Sequence, residues 1–366
     1  MFIKLRRAYR LCLSTRQPLS QRGRQRIDPS EIKKILIIRL RRIGDIAMTT
    51  PALSALRKGF PNAFISYVVE KPYRELVEDH PELDKVIVLE RKQGAKDFFR
   101  LIRSIRKEKY DIVLDFHGGP RASLITLLSK AKLKIGYRIK YRNFIYHIKL
   151  ARKPETGQLH SVESHINFVR ALGVDVKSPP PLSLPHARED EAEKVKKIII
   201  NNGLEGFKII IIHISAGNEF RDWGKDNWIE LIDLLAKRPD VKIILIGANE
   251  DKEAEVEILK KTKVSFPSQV GKLNLRELKE LISHSSLFVG PDSGPMHIAA
   301  TTSTPIVALF GPTLPVNFSP WEAKALLIEK EFECRPCKQR HCIYEDFRCL
   351  RNITPEEVFQ ACLRLI

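Results

Sequence analysis

Between Leu287 and Ala300 a short apolar stretch, Leu287 to Val289, breaks at Gly290-Pro291-Asp292-Ser293-Gly294-Pro295 and resumes as Met296-His297-Ile298-Ala299-Ala300. The pattern reads as a buried strand, a turn and a helix whose first N–H groups point back at the strand's carboxyl end. Those N–H groups and the positive end of the helix dipole suit an anion such as a diphosphate. Ser293 or Asp292 can cap the helix, and Gly294 lets a ligand approach the backbone closely. An ordinary βα turn carries the same residues, so this turn alone leaves both readings open.

A second strand-to-helix turn carries Gly44-Asp45. A carboxylate there can take a proton from a hydroxyl, or it can cap the helix. Further polar runs fall at expected strand ends. In the first half this is Asp115-Phe116-His117-Gly118-Gly119-Pro120-Arg121. In the second half they are Ser215-Ala216-Gly217, Glu219-Phe220-Arg221-Asp222-Trp223 and Gly247-Ala248-Asn249-Glu250. Open α/β sheets bind ligands at the carboxyl ends of their strands. Anion donors collect in the second half and an isolated carboxylate in the first. That division suggests a diphosphate leaving group held by one domain and an acceptor activated by a base in the other.

The elements that must position these residues alternate. Strands are expected at Lys34 to Arg39, Phe64 to Val69, Val86 to Leu89 and Ile112 to Phe116, with helices at Ile46 to Arg57, Ala95 to Arg106, Arg121 to Leu128 and Ser161 to Leu172. Ser178-Pro179-Pro180-Pro181 and Pro185 cannot lie inside a helix or central strand, which marks residues 177–187 as a linker. Beyond it the alternation restarts, with strands at Lys208 to His213, Val241 to Ile246, Leu287 to Val289 and Ile306 to Phe310. Thr354-Pro355-Glu356-Glu357 opens a last helix, with Thr as cap and Pro at the first position. The expected fold is α/β, with two doubly wound halves facing across a cleft: residues 31–176, then 188–350, then a terminal helix over 351–366.

Composition agrees with that scale. A chain of 366 residues, 43% hydrophobic, can bury a large core and is long enough for two domains. It has no apolar run long enough to span a bilayer. The net charge of +19 favours polyanionic partners. Part of it sits in residues 1–30, where Lys4, Arg6, Arg7, Arg10, Arg16, Arg22, Arg24 and Arg26 mix with Phe2, Ile3, Leu5, Leu11 and Leu13. That arm is too interrupted for a secretory leader; it reads equally as a membrane-surface segment or a disordered one. Nucleic acid is disfavoured, because the basic residues form no RNA-binding motif, zinc finger or helix-turn-helix. Cys334, Cys337, Cys342 and Cys349, with His341 among them, suggest a structural zinc or another soft metal as readily as unliganded thiols, and no catalytic role.

Four segments together resemble glycosyltransferase family 9, the ADP-heptose:lipopolysaccharide heptosyltransferases. They start at Ile35 (ILIIRLRRIGDIAMTTPALSALRKGFPNAFISYVV), Asp111 (DIVLDFHGGPRAS), Ile211 (IIHISAGNEFRDWGKDNWIEL) and Phe288 (FVGPDSGPMHIAATTSTPIVALFGPT). The resemblance runs from about Ile32 to the C-terminus with the motifs in family order. It implies a GT-B fold of two Rossmann-like domains, with a C-terminal helix that crosses back to the first. It implies Asp45 as catalytic base, with donor contacts at Ser215, Ala216, Gly217, Asp292, Ser293, Gly294 and His297. Arg221 stands where many members have Lys, and the ribose contact falls on Glu250 or Asn249. The implied reaction moves heptose from ADP-L-glycero-β-D-manno-heptose, with inversion, to an inner-core hydroxyl of Kdo-lipid A or heptosyl-Kdo-lipid A. No Asp-x-Asp pair stands at a strand end, so no metal cofactor is expected. His117 and Arg121 are the acceptor-side candidates, set apart from Arg138, Lys140 and Arg142 nearby. A lipid-linked acceptor implies peripheral contact with the cytoplasmic face of the inner membrane. Another nucleotide-sugar transferase, or a sugar-nucleotide epimerase of similar build, is the alternative.

Overall fold

The computed structural model describes residues 31–92, 94–152 and 158–366. The basic arm over residues 1–30 lies outside the described residues. The first half contains β1 (Lys34–Ile38), α1 (Ile43–Ala47), α2 (Thr50–Gly59), β2 (Phe64–Glu70), β3 (Lys85–Leu89), α3 (Ala95–Glu108), β4 (Ile112–Asp115), α4 (Pro120–Leu128), β5 (Leu133–Tyr137), β6 (Ile148–Leu150) and α5 (Ser161–Ala171). The second contains α6 (Glu189–Asn201), β7 (Lys208–His213), α7 (Lys225–Leu235), β8 (Val241–Ile246), α8 (Lys252–Lys261), α9 (Leu275–Ser283), β9 (Leu287–Pro291), α10 (Gly294–Ala299), β10 (Ile306–Phe310), α11 (Pro315–Phe318), β11 (Ala325–Glu329), α12 (Arg348–Arg351) and α13 (Pro355–Leu363).

Both sheets are parallel. The first runs β3-β2-β1-β4-β5-β6 and the second β11-β10-β9-β7-β8. Central strands covered on both faces by helices need side chains that tolerate burial on both sides, which is why β1, β7 and β10 read as KILII, KIIIIH and IVALF. In each sheet the strand order reverses once, between β1 and β4 in the first and between β7 and β9 in the second. A crevice opens at such a reversal, beyond the carboxyl ends of the two strands, because the helices that follow them leave toward opposite faces. Asp45 and His117 follow the first pair; Ser215 and Asp292 follow the second.

Three details depart from the sequence-based expectation. Strands β5, β6 and β11 were not anticipated. β6 is only three residues long with Lys149 at its centre and β5 mixes Lys134 and Gly136 into its run, so neither carries a continuous apolar signal, whereas the apolar run of the edge strand β11, Ala325 to Ile328, was passed over. The helix expected over Ile46 to Arg57 is two helices. Thr49 and Thr50 turn their hydroxyls onto the carbonyls of Ile46 and Ala47, both at 2.7 Å, and Pro51 starts the second helix. The terminal helix does not cross back. α13 packs on α7 and β10 of the second half, where Val358, Ala361 and Cys362 join the cluster around Trp223 and Trp228, and the Trp223 indole donates to the Ile353 carbonyl at 2.7 Å. The apolar stripe of α13 is buried there against two fully covered tryptophans, which holds the end of the chain to the second sheet.

The proline segment is a packed strap. Ser183 N–H bonds the Thr50 hydroxyl and its own hydroxyl meets the His80 ring, both in the first half. From the second half, Lys279 donates to the Leu184 and Pro185 carbonyls and the Trp321 indole to that of Pro180. Arg276, almost fully buried, completes this side of the seam by pairing with Asp79 at 3.0 Å.

Candidate active site

Asp45 sits in the first turn of α1, three residues after the helix cap, where its carboxylate accepts the Arg42 N–H at 3.2 Å. The capping role is therefore real, but it occupies one oxygen. The other meets the Arg39 guanidinium at 2.5 Å, and the side chain keeps 39% of its surface open. Burial of the group raises its pKa, yet Arg39 and the Arg42 N–H outweigh it, and the carboxyl is held below the usual range. Asp115, one strand away, contrasts with it. That carboxylate is fully covered, accepts the Tyr146 hydroxyl at 2.6 Å and the N–H groups of His117 and Gly118, and is pushed up by burial. Asp45 is thus an ionised, accessible carboxylate, whereas Asp115 shapes a loop.

Arg39 was not singled out from the sequence. It is buried, donates to the Phe116 carbonyl at 2.7 Å, and so ties the end of β4 to Asp45. Its own position at the end of a buried apolar strand was the available signal. The His117 ring lies in the same group. Burial, reinforced by Arg39 and Arg41, lowers its pKa to about 4, so at neutral pH it offers a hydrogen bond without a charge. Arg121 reaches sideways, donating to the carbonyls of Glu90 (2.8 Å) and Arg91 (3.2 Å) and lying 3.9 Å from Glu70. It braces the carboxyl end of the β2–β3 side of the sheet.

In the second half, Ser293 is the cap of α10 and accepts the Met296 N–H, while its hydroxyl also meets the His213 ring at 3.2 Å. Asp292 is buried. Its carboxylate accepts the Thr313 hydroxyl at 2.6 Å and pairs with Arg221 at 3.2 Å, and Arg221 donates again to the Asp292 carbonyl at 3.0 Å. Burial raises the Asp292 pKa against the pull of Arg221 and Thr313. The carboxylate therefore acts as an anchor for the guanidinium. Arg221 is also held by Gln339, whose side-chain oxygen accepts from Arg221 Nε (3.2 Å) and from Asn218 (2.7 Å). Gln339 and Thr313 are further residues the sequence reading passed over, since each lies in a loop far along the chain from its partner.

Ser215, Ala216 and Gly217 form the loop after β7, and Ser215 Oγ accepts the Gly217 N–H at 3.0 Å. Asn249 and Glu250 lie on an exposed turn after β8, and among the described hydrogen bonds neither joins the Arg221–Asp292 group. The two halves meet at α1 and α10. A Cβ at Gly44 would stand 2.5 Å from the His297 ring, and one at Gly294 would stand 2.7 Å from Ile43. Gly294 thus serves close helix packing, and it is Ile43 that approaches its backbone. His297 is buried, lies 4.0 Å from Asp292, and is neutral with a pKa lowered to about 4 by burial.

The four cysteines lie near one another, since charge on Cys334, Cys342 or Cys337 raises the Cys349 pKa, which burial pushes up to about 11. Among the described residues no three His, Cys, Asp or Glu are arranged to hold a metal ion. The Cys349 sulfur instead lies against Gly311, and Cys337 Sγ accepts the Gln339 N–H at 3.3 Å.

The sequence profile of glycosyltransferase family 9 (heptosyltransferase) matches residues 98–347, more than half of the chain. The chain belongs to that family. This family 9 glycosyltransferase is 28% identical to lipopolysaccharide heptosyltransferase 3 of Escherichia coli over 293 residues, covering 76% of this chain and 83% of that one. The glycosyl transferase family 9 structure from Veillonella parvula superposes with a TM-score of 0.80 at 24% identity, covering 91% of this chain and 97% of the other. The E. coli ADP-heptose LPS heptosyltransferase II structure gives 0.76 at 22% identity, with 91% and 98% covered. The shared architecture is GT-B, with two parallel-sheet halves, as described above.

Proposed function

We propose that this glycosyltransferase moves heptose from ADP-L-glycero-β-D-manno-heptose to a hydroxyl of the lipopolysaccharide inner core, on Kdo-lipid A or heptosyl-Kdo-lipid A. The supporting observation is that an open, ionised Asp45 and an anchored Arg221 lie at the two strand-order reversals, joined where α1 meets α10. The relatives' names supply the sugar and the acceptor class.

In the proposed step the acceptor hydroxyl gives its proton to Asp45 while its oxygen bonds to the anomeric carbon on the face opposite ADP. The bond to the diphosphate oxygen breaks with its electron pair, and the anomeric configuration inverts. Arg221 and the N–H groups at the start of α10 balance the charge that grows on the diphosphate, the task a metal ion performs in other enzymes. The reading is metal-independent because those cationic and dipolar groups are built in. The cysteine cluster has no part in it, and elemental analysis of the purified protein reports whether zinc binds there. His117, after β4, and Arg121, in the first turn of α4, form the acceptor wall. The acceptor is lipid-linked, so the enzyme works at the cytoplasmic face of the inner membrane. No described helix is long and apolar enough to cross a membrane.

The test is ADP release from ADP-heptose with Kdo-lipid A or heptosyl-Kdo-lipid A, run beside a panel of other nucleotide sugars, with the product anomer read by NMR. Acceptor-dependent release of ADP and an inverted product are expected. Release only from a different nucleotide sugar, or rearranged free sugar nucleotide without acceptor, would reject the proposal.

A further inference from the structure

The outward stripe of α4 is apolar. Leu124 and Leu127, one turn apart, are 42% and 39% exposed, while Ala122, Ile125 and Thr126 face inward. A surface helix ordinarily turns polar residues outward, so a leucine stripe calls for something to cover it. Its neighbours extend the stripe in both directions. On one side α3 presents Phe99, 66% exposed, and Arg106 of α3 donates to the Leu128 carbonyl at 2.7 Å, which fixes the two helices side by side. On the other side the turn Asn143–Ile145 packs on α4 and presents Phe144, 76% exposed. Arg142 locks that loop in place by donating to Ser123 Oγ at 3.0 Å.

The surroundings are cationic. Residues 91–152 contain seventeen Lys and Arg against four Asp and Glu, so charge alone would draw this face to an anionic partner. Three of those acids are already neutralised, Asp97 by Arg100, Glu108 by Lys34 and Lys85, and Asp111 by Lys132, and the fourth, Asp115, is buried. On α3 itself Lys96 and Arg103 share the outward side with Phe99. Isolated apolar side chains projecting from a basic field match an anionic bilayer, where the rings and leucines enter the headgroup boundary and the cations meet lipid phosphates.

We infer that the α3–α4 face, with Phe99, Leu124, Leu127 and Phe144 at its centre, docks this enzyme on an anionic lipid surface. α4 begins directly after the Gly118-Gly119 loop beside His117, so a bilayer on this face lies next to the acceptor wall of the cleft. The inference deepens the lipid-linked-acceptor reading above and rests on it for its purpose, but its readout is independent of catalysis.

The experiment is vesicle co-sedimentation of the full chain on phosphatidylcholine alone and on phosphatidylcholine mixed with phosphatidylglycerol. The wild type is expected to bind the mixed vesicles preferentially. The double substitution Phe99→Ser with Phe144→Ser, at exposed positions that leave the thermal melt unchanged, is expected to weaken partitioning about tenfold or more. Lys96→Glu with Arg103→Glu is expected to do so by about tenfold and to blunt the preference for anionic lipid. Both variants retain turnover on a delipidated, soluble acceptor. Wild-type partitioning by the Phe99/Phe144 variant would overturn the inference and leave the basic arm as the anchor. A wild type that self-associates without lipid and a variant that does not would also overturn it, making this face a contact between copies. Phenylalanine-dependent vesicle binding without heptosyl transfer would reject the proposed function alone.

Discussion

At the scale of single residues, Asp45 keeps its charge because Arg39 and a backbone N–H outweigh the cost of burial. In the proposed mechanism, removing that carboxylate takes away the proton acceptor without touching the diphosphate site. Asp45→Asn is expected to lower kcat by about 100-fold or more while donor affinity stays within about twofold, measured by steady-state kinetics and calorimetric ADP titration. Arg39 acts through Asp45 as a positioning residue, and its test is a pH profile. With the cation in place, the acid limb of kcat/KM lies below the ordinary carboxylate range of about 4. In Arg39→Gln the lowering contribution is lost and the burial contribution stays, so the limb should move to higher pH. An unshifted limb would separate Arg39 from the base. The anchored pair Arg221–Asp292 depends on the planar guanidinium. The guanidinium can bond the Asp292 carboxylate and carbonyl and the Gln339 side chain together, which a single ammonium cannot do in the same geometry.

At the scale of elements, two helix starts, α1 and α10, are pressed together by glycines, and the loops after β10 and β11 reach back to brace them. The long loop carrying the cysteines is therefore tied to the Arg221 group through Gln339, on the proposed donor side. Gln339→Ala leaves Arg221 Nε and Asn218 without their shared acceptor. The expected result is a donor KM raised about fivefold, in keeping with a loss of roughly 1 kcal/mol, with acceptor KM unchanged. A parallel rise in acceptor KM would mean that the loop supports the whole cleft and has no specific hold on Arg221. Much at this scale was legible. The runs KILII, KIIIIH and IVALF, the strand-end polar clusters and the capping signature at Thr354 all appear where expected. Edge strand β6 was not, because a three-residue strand with an exposed lysine at its centre lacks the apolar run that reveals a buried one.

At the scale of the whole molecule, burial sets how the fold responds to acid. His80, His117, His160, His165, His213 and His297 are all held neutral, with pKa values lowered to about 3 or 4 by burial. An unfolded chain takes up protons at these positions near pH 6.5, whereas the folded chain does not until about pH 4. Their stabilising effect is complete above pH 6.5 and lost as pH falls toward 4. Asp115 and Asp292, raised by burial, oppose this, but they are two groups against six. The melting temperature is expected to drop steadily from pH 7 to pH 5, followed by circular dichroism. A flat Tm over that range would show that these histidines are solvated.

The sequence by itself determined the two parallel-sheet halves, the proline-marked break between them and the strand-end turns that carry Asp45, Ser215 and Asp292. These follow from local rules: apolar runs must be buried, proline breaks regular pairing, and polar residues fall where strands end. Only the tertiary structure decided that Arg39 holds Asp45, that Asp292 faces inward to anchor Arg221, that Gly294 meets Ile43, and that α13 stays on the second half. Each of these joins residues distant in the chain or depends on which way a side chain turns at a packed interface. Helical and strand periodicity carry no information about such pairings, which are set by the shape and charge of surfaces that exist only after the sheets have formed.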